Sequence, residues 1–128
     1  MTIVVDLDGT ILEFDMEKWQ KHEHNYYGEP KPGAIETLHK LRAMGHRIVI
    51  QTCRINNVHI NKKYGIGDLN RRVHRILRLH QIPYDEVWID KGKPLGSLYI
   101  DDRGFRLEDN WHEVLDFVAQ LENKGMNE

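Results

Sequence analysis

Four aspartates stand out by where they fall: Asp6 and Asp8 close the run TIVVDLDGT, and Asp101 and Asp102 close LYIDD. A third β-branched run, RIVIQTCR, ends on Thr52 and Arg54, and the pair Lys93-Pro94 lies between the last two apolar runs. Carboxylates brought to one edge repel each other unless a cation or a shared proton offsets their charge. Acids with a hydroxyl and a lysine suit a hard divalent ion such as Mg2+, which takes a few carboxylates and leaves places for water and substrate oxygens. The candidate metal set is Asp6, Asp8, Asp101 and Asp102, and magnesium in such a set implies a phosphorylated substrate. A carboxylate can attack phosphorus and split one difficult displacement into two easier ones, and that role falls to Asp6. Asp8, two residues on where the chain turns at Gly9, is placed to protonate the leaving oxygen and later to activate water. Charge on the transferring phosphoryl oxygens calls for preorganised donors, which Thr52 and Lys93 supply. Lys91 competes for that role; Lys93 is preferred because it lies just before the strand that delivers Asp101 and Asp102. Arg54 either clamps a second phosphate oxygen or pairs with Asp101 or Asp102, and both readings stay open.

These residues can only meet if the elements between them are parallel. Residues 2–6 and 47–52 are β-branched runs with the composition of strands buried on both faces. Between them, Pro32 suits a first helical turn, Ile35, Leu38 and Leu41 follow helical spacing, and Gly45 suits the position just past a helix end, which predicts a helix over 33–44. Strand, helix and strand of these lengths make a right-handed parallel crossover. A loop through Asn57 and Gly67 leads to a helix over 69–80, capped by Asp68 or Asn70, with Val73, Ile76, Leu77 and Leu79 as its apolar positions. Residues 86–89 and 98–100 read as two more strands, and 111–121 as a last helix with Val114, Leu115, Val118 and Leu121 on one face. Residues 13–29 read as a long loop with one helical turn. The expected fold is a three-layer, Rossmann-like α/β domain with a mostly parallel sheet, in which ligands bind beyond the carboxyl ends of the strands.

The segments VVDLDGT, IVIQT, Lys93-Pro94 and YIDD, in that order over residues 4–102, resemble the four motifs of the haloacid dehalogenase-like phosphohydrolase superfamily. The resemblance implies that Asp6 is the nucleophile and Asp8 the general acid/base, whose backbone carbonyl also binds magnesium. It implies Thr52 and Lys93 as phosphate ligands and Asp101 with Asp102 as metal ligands, leaving open which of the two coordinates directly. PKPGAIETLHKLRAMGHRIVIQTCR, IPYDEVW, GKP and YIDDRGFRLEDNW resemble, more narrowly, small capless members of capsule-biosynthesis or phage type. A looser, local resemblance is to the phosphatase half of phage polynucleotide kinase/phosphatases, on Arg54 and on IDDR followed by a Trp. The implied protein is a single capless domain over residues 1–128, a phosphatase acting on a sugar phosphate or other small phosphoester. Alternatives are a polynucleotide 3′-phosphatase and a non-catalytic magnesium- and phosphate-binding module.

Composition narrows the classes further. The 128 residues fit one domain, and residues 11–32 are too few for a folded cap, so the site is expected to be open. No apolar run is long enough for a membrane span and the start lacks a secretory pattern, so the expected location is cytoplasmic. The single cysteine, Cys53, rules out an intrachain disulfide framework and is expected as a buried small residue; it does not resemble a thiol-phosphatase nucleophile, because His59 stands six residues on, where that class carries an arginine. His22 and His24 lack further ligands nearby and are expected at the solvated surface. Trp19, Tyr26 and Tyr27 pack in a core or interface, form a cover over the site, or stack on a base or sugar. Net charge is −2, yet residues 54–80 hold seven Lys or Arg against one acid. That segment is a solvated basic face or a contact for nucleic acid. The open site also admits a partner subunit as a lid, so an oligomer is compatible with the sequence.

Overall fold

The structure, a computed structural model, describes residues 1–56 and 63–125. Lys62 of the basic segment, His59 and the loop from Asn57 lie outside the described residues. Four strands, β1 (Thr2–Asp6), β2 (Arg47–Gln51), β3 (Glu86–Val87) and β4 (Leu98–Ile100), form an all-parallel sheet in the order β3-β2-β1-β4. The order reverses beside β1, so the ends of β1 and β4 flank a topological switch point, where open α/β sheets bind ligands. This is the Rossmann-like α/β fold expected from the alternation of runs.

The β-branched runs form strands because both faces are covered at their centres. Ile3, Val4 and Val5 of β1 and Ile48, Val49 and Ile50 of β2 are all buried. Ile3, Val5, Ile48, Ile50 and Val87 share one core with Leu38 of helix α2 (Ala34–Ala43) and with Leu69, Val73 and Leu77 of helix α4 (Ile66–Leu79). Strand alternation sends Val4, Asp6 and Tyr99 to the other face, since Val4 is in register with Tyr99. The helix α4 begins three residues earlier than expected, with Gly65 rather than Asp68 or Asn70 at its N-cap. Asp68 lies inside the first turn, bound to Arg72 at 3.0 Å and close to Arg71 at 3.6 Å.

Between β1 and α2 the chain is more ordered than a loop. A helix α1 (Met16–His22), capped by the Asp15 side chain on the Lys18 N–H, runs into a 3-10 turn (Glu23–Asn25). The neck of this excursion is closed by Glu13 N–H on Glu29 and Lys31 N–H on Ile11. No folded cap domain stands over the sheet within the described residues. A short helix α3 (Cys53–Asn56) follows β2 and packs on α4. The last helix, α5 (His112–Asn123), buries no residue fully; Val114, Phe117 and Leu121 are half-buried, whereas Leu115 and Val118, expected on its packed face, are exposed. Phe117 meets Phe105 edge-on at 5.3 Å, which turns that side of the helix inward in place of Leu115. No helix among the described residues is long and apolar enough to cross a membrane.

Candidate active site

Asp6 is the last residue of β1, and the chain beyond it folds back at once. The N–H groups of Thr10, Ile11 and Leu12 all point at the Leu7 carbonyl, and Gly9 donates to Leu12. Gly9 has φ +82, and a Cβ there would stand 2.5 Å from Asp102 Oδ2. Only glycine allows both the turn and the close approach of the segment after β4. As a result one oxygen each from Asp6, Asp101 and Asp102 lies within 4.8 Å of the others, with Asp6 half-buried and the other two exposed.

The Asp6 carboxyl is pushed up from an ordinary 3.8 to about 7, by its burial first and then by the charge of Asp101, with Asp102 a smaller contributor. The Leu7 backbone and the Thr10 hydroxyl, which donates to Asp6 Oδ2 at 3.1 Å, act in the opposite direction. Burial with like charges is the arrangement a bound dication would relieve. Three hard oxygen donors, two of them open to solvent, fit an ion that keeps waters and substrate oxygens in its shell, as magnesium does. Asp8, counted with the metal set on sequence, is not in this cluster through its carboxylate. The turn at Gly9 carries that side chain toward Arg54.

Asp6 and Asp101 line a cavity of about 830 Å³ together with Thr52 and Lys93. Thr52 follows β2 directly and is buried; its oxygen accepts the Arg54 N–H at 3.2 Å, which opens α3. That bond uses a lone pair only, so the Thr52 hydroxyl proton remains for an anion. Lys93 lies on the loop before β4, its ammonium 4.1 Å from the Tyr99 ring centroid. Lys91 is not among the lining residues. Cys53 is exposed in the same cavity wall, not buried as expected, because it opens α3 at the end of β2.

Arg54 is where the structure departs most from expectation. Its side chain, 1% exposed, grips Asp8 with both arms, Nε to Oδ2 at 2.7 Å and Nη2 to Oδ1 at 2.9 Å. Its carboxylate partner is thus Asp8, and not Asp101 or Asp102. The same Nη2 donates to the Tyr26 carbonyl at 2.7 Å, so two of its three nitrogens are committed to the protein, and Nη1 is buried without a hydrogen-bond partner among the described residues. Its guanidinium lies 3.8 Å from the Tyr27 ring centroid and 5.0 Å from that of Trp19. The aromatic segment is therefore a cradle for Arg54. His24, expected at the surface, is buried between Trp19 and Tyr64, edge-on to both at 5.1 and 4.8 Å. No spacing in the sequence signals this packing, because Tyr64 and Arg54 reach the aromatic segment from more than 25 positions away.

No family model and no curated protein matches this chain. Among solved structures, it resembles a conserved protein from Bacteroides thetaiotaomicron, at 25% identity and TM-score 0.57, covering 94% of this chain and 90% of that one. A crystallised target protein from Vibrio cholerae is similar at 27% identity and TM-score 0.51, over 93% of this chain and 97% of that one. A D,D-heptose 1.7-bisphosphate phosphatase from B. bronchiseptica, crystallised with magnesium and phosphate, aligns at 15% identity and TM-score 0.43, over 94% of this chain and 63% of that one.

Proposed function

We infer that this small chain, haloacid dehalogenase-like in fold and in the order of its motifs, is a magnesium-dependent phosphomonoester phosphatase. The observation that carries the reading is the crowding of Asp6, Asp101 and Asp102 at the switch point, with Asp6 and Asp101 in the cavity that Thr52 and Lys93 also line. Asp6 with Asp101 and Asp102, helped by the Asp8 backbone carbonyl, would hold the ion, which when bound neutralises phosphoryl oxygens and lowers the repulsion toward an attacking carboxylate. One Asp6 oxygen attacks phosphorus, the bond to the leaving oxygen breaks, and Asp8 delivers a proton to that oxygen. Asp8 then takes a proton from water, whose oxygen displaces the Asp6 carboxylate and releases inorganic phosphate. Arg54 bonds both Asp8 oxygens but leaves each a further lone pair; the proton that Asp8 delivers to the leaving oxygen is carried on one of these, and the proton taken from water returns to it. Thr52 and Lys93 supply the donors that match the charge on the moving phosphoryl group.

The cavity is within the range of roughly 300–1,000 Å³ that small molecules occupy and mixes polar with apolar walls, which supports a sugar phosphate or similar small phosphoester as substrate. The test is a panel of sugar phosphates, nucleotides and end-phosphorylated oligonucleotides assayed with magnesium. Hydrolysis of at least one class, lost in chelator and restored by added magnesium, is the expected result. Full activity in chelator, or none on any substrate, would sink the proposal.

A polynucleotide phosphate end is the second reading, and the face of α4 favours it. Arg71, Arg75 and Arg78 are exposed along one side of that helix, at spacings of four and three residues. Next to them Arg72 reaches the cradle, bonding Asn25 at 3.1 Å and lying 5.3 Å from the Tyr64 ring centroid. If the three arginines each neutralise a phosphate of a single strand, affinity for a 3′-phosphorylated oligonucleotide falls with salt at a logarithmic slope of about −2, or about twentyfold between 50 and 200 mM. A salt-independent activity confined to sugar phosphates excludes this reading.

A further inference from the structure

We propose that Tyr99 is the positioning residue for Lys93, a role that rests on the phosphatase reading and gives the tyrosine that opens the YIDD segment a function of its own. Tyr99 occupies the middle of β4, in register with Val4, and strand alternation puts its side chain on the face of the sheet that carries Asp6. Its hydroxyl donates to the Pro94 carbonyl at 2.7 Å and accepts the Gly96 N–H at 3.0 Å. Two bonds from one side chain therefore staple the loop that follows Lys93. The loop is also pressed onto the sheet, because a Cβ on Gly96 would lie 2.6 Å from Val4 Cγ2, and Ser97 donates to the Thr2 carbonyl at 2.8 Å. Above this staple the Lys93 ammonium sits 4.1 Å from the Tyr99 ring centroid, over the negative face of the ring.

An exposed lysine on a loop samples many rotamers, and fixing it costs conformational entropy each time an anion binds. Tyr99 removes much of that cost in advance. Its hydroxyl holds the backbone from which Lys93 projects, and its ring holds the ammonium inside the cavity that Asp6 and Thr52 line. The ring attracts a cation without neutralising it, unlike a carboxylate, so the full charge remains for a phosphoryl oxygen. Tyr99 does not touch the reacting atoms; it acts through Lys93.

The experiment is a double-variant cycle of Tyr99→Leu and Lys93→Met, reading kcat, KM and product inhibition by inorganic phosphate, with circular dichroism as the check on folding. For Tyr99→Leu alone, KM and the phosphate inhibition constant are expected to rise about fivefold, with kcat changed less, as loss of a cation held at an exposed ring predicts. In the Lys93→Met background the same change at Tyr99 is expected to have no further effect, because its target is gone. If Tyr99→Leu does not fold, Tyr99→Phe, which keeps the ring and loses the staple, carries the same cycle with a smaller rise. Equal losses from the Tyr99 change in both backgrounds overturn the proposal and make Tyr99 a structural residue only. Absence of turnover in the unaltered protein overturns the phosphatase reading itself, an outcome distinct from additive effects in an active enzyme.

Discussion

Asp6→Asn is expected to leave the fold intact and to lower turnover by a factor of about 1,000 or more, since it removes the atom that bonds to phosphorus. The amide keeps an oxygen for the Thr10 hydroxyl, now at 3.1 Å, so the loop from Leu7 to Leu12 has no reason to move. What it loses is the anionic oxygen that attacks. The measurement is steady-state turnover on whichever phosphoester the panel identifies, with a quench that looks for phosphate bound to the protein. Turnover within tenfold of the unaltered protein would remove Asp6 from the mechanism. An unaltered protein that binds phosphate and magnesium without turnover would favour the non-catalytic module instead.

The same substitution has a second, opposite effect on stability in the absence of metal. Asp6 has a folded-state pKa of about 7 against 3.8 as its ordinary value, so the folded state holds the proton more tightly. Its contribution is therefore fully present below about pH 3.8 and is lost as pH rises through about 7. Above that, the buried carboxylate beside Asp101 is a liability of about 2 kcal/mol once partial exposure to solvent is allowed for. Without metal, Asp6→Asn is then expected to melt about 5 °C or more above the unaltered protein at pH 8, and level with it at pH 4. Added magnesium should close the gap at pH 8 by stabilising the carboxylate form. A variant that melts lower at pH 8 without metal contradicts the crowding on which the site is built.

Much of this arrangement is legible in the residues because burial on both faces selects the strands. TIVVD and RIVIQ have no polar face to present to water, so they can only be central, and their last residues must emerge at one edge. That logic places Asp6, Thr52 and Asp101 without any knowledge of contacts. It fails where a segment has no inward face of its own. Helix α1 buries nothing and shows no apolar period; it is held by the Asp15 cap and by Trp19 lying on a guanidinium that comes from beyond β2. Helix α5 is recognisable, yet its packed side is chosen by Phe117 meeting Phe105, a contact that periodicity does not contain. The start of α4 is obscured by Gly65 and Gly67, which read as loop although the helix runs from Ile66. For Arg54 the residue types leave open a phosphate oxygen or a pair with Asp101 or Asp102; the carboxylate it meets is Asp8, 46 positions away, a contact that strand patterning does not contain.

Arg54→Met is expected to destabilise the protein by about 3 kcal/mol or more, a lowering of the melting temperature by about 10 °C or more. The cause is what the substitution leaves behind. Asp8, with a side chain only 13% exposed, would lose the donors on both oxygens, and the Tyr26 carbonyl would lose its own. Removing one member of a buried pair costs far more than the pair is worth, because an unpaired charge remains in a poorly solvated place. It follows that Asp8→Asn combined with Arg54→Met should be less destabilised than the sum of the two changes, the neutral amide being easier to leave unpaired. Arg54→Lys keeps a charge but cannot span both oxygens, so it should fall between the two. The kinetic consequence separates the two roles open to this residue. An arginine that binds substrate phosphate would, when replaced, raise KM and weaken inhibition by inorganic phosphate in a protein of ordinary stability. An arginine that holds Asp8 would lower kcat by tenfold or more through misplacement of the acid/base, leave phosphate inhibition nearly unchanged, and lower the melting temperature at the same time. The second pattern is the one that the fork on Asp8 and the cradle of Trp19, Tyr26 and Tyr27 predict. The first, observed in a variant that melts normally, would return Arg54 to the phosphate.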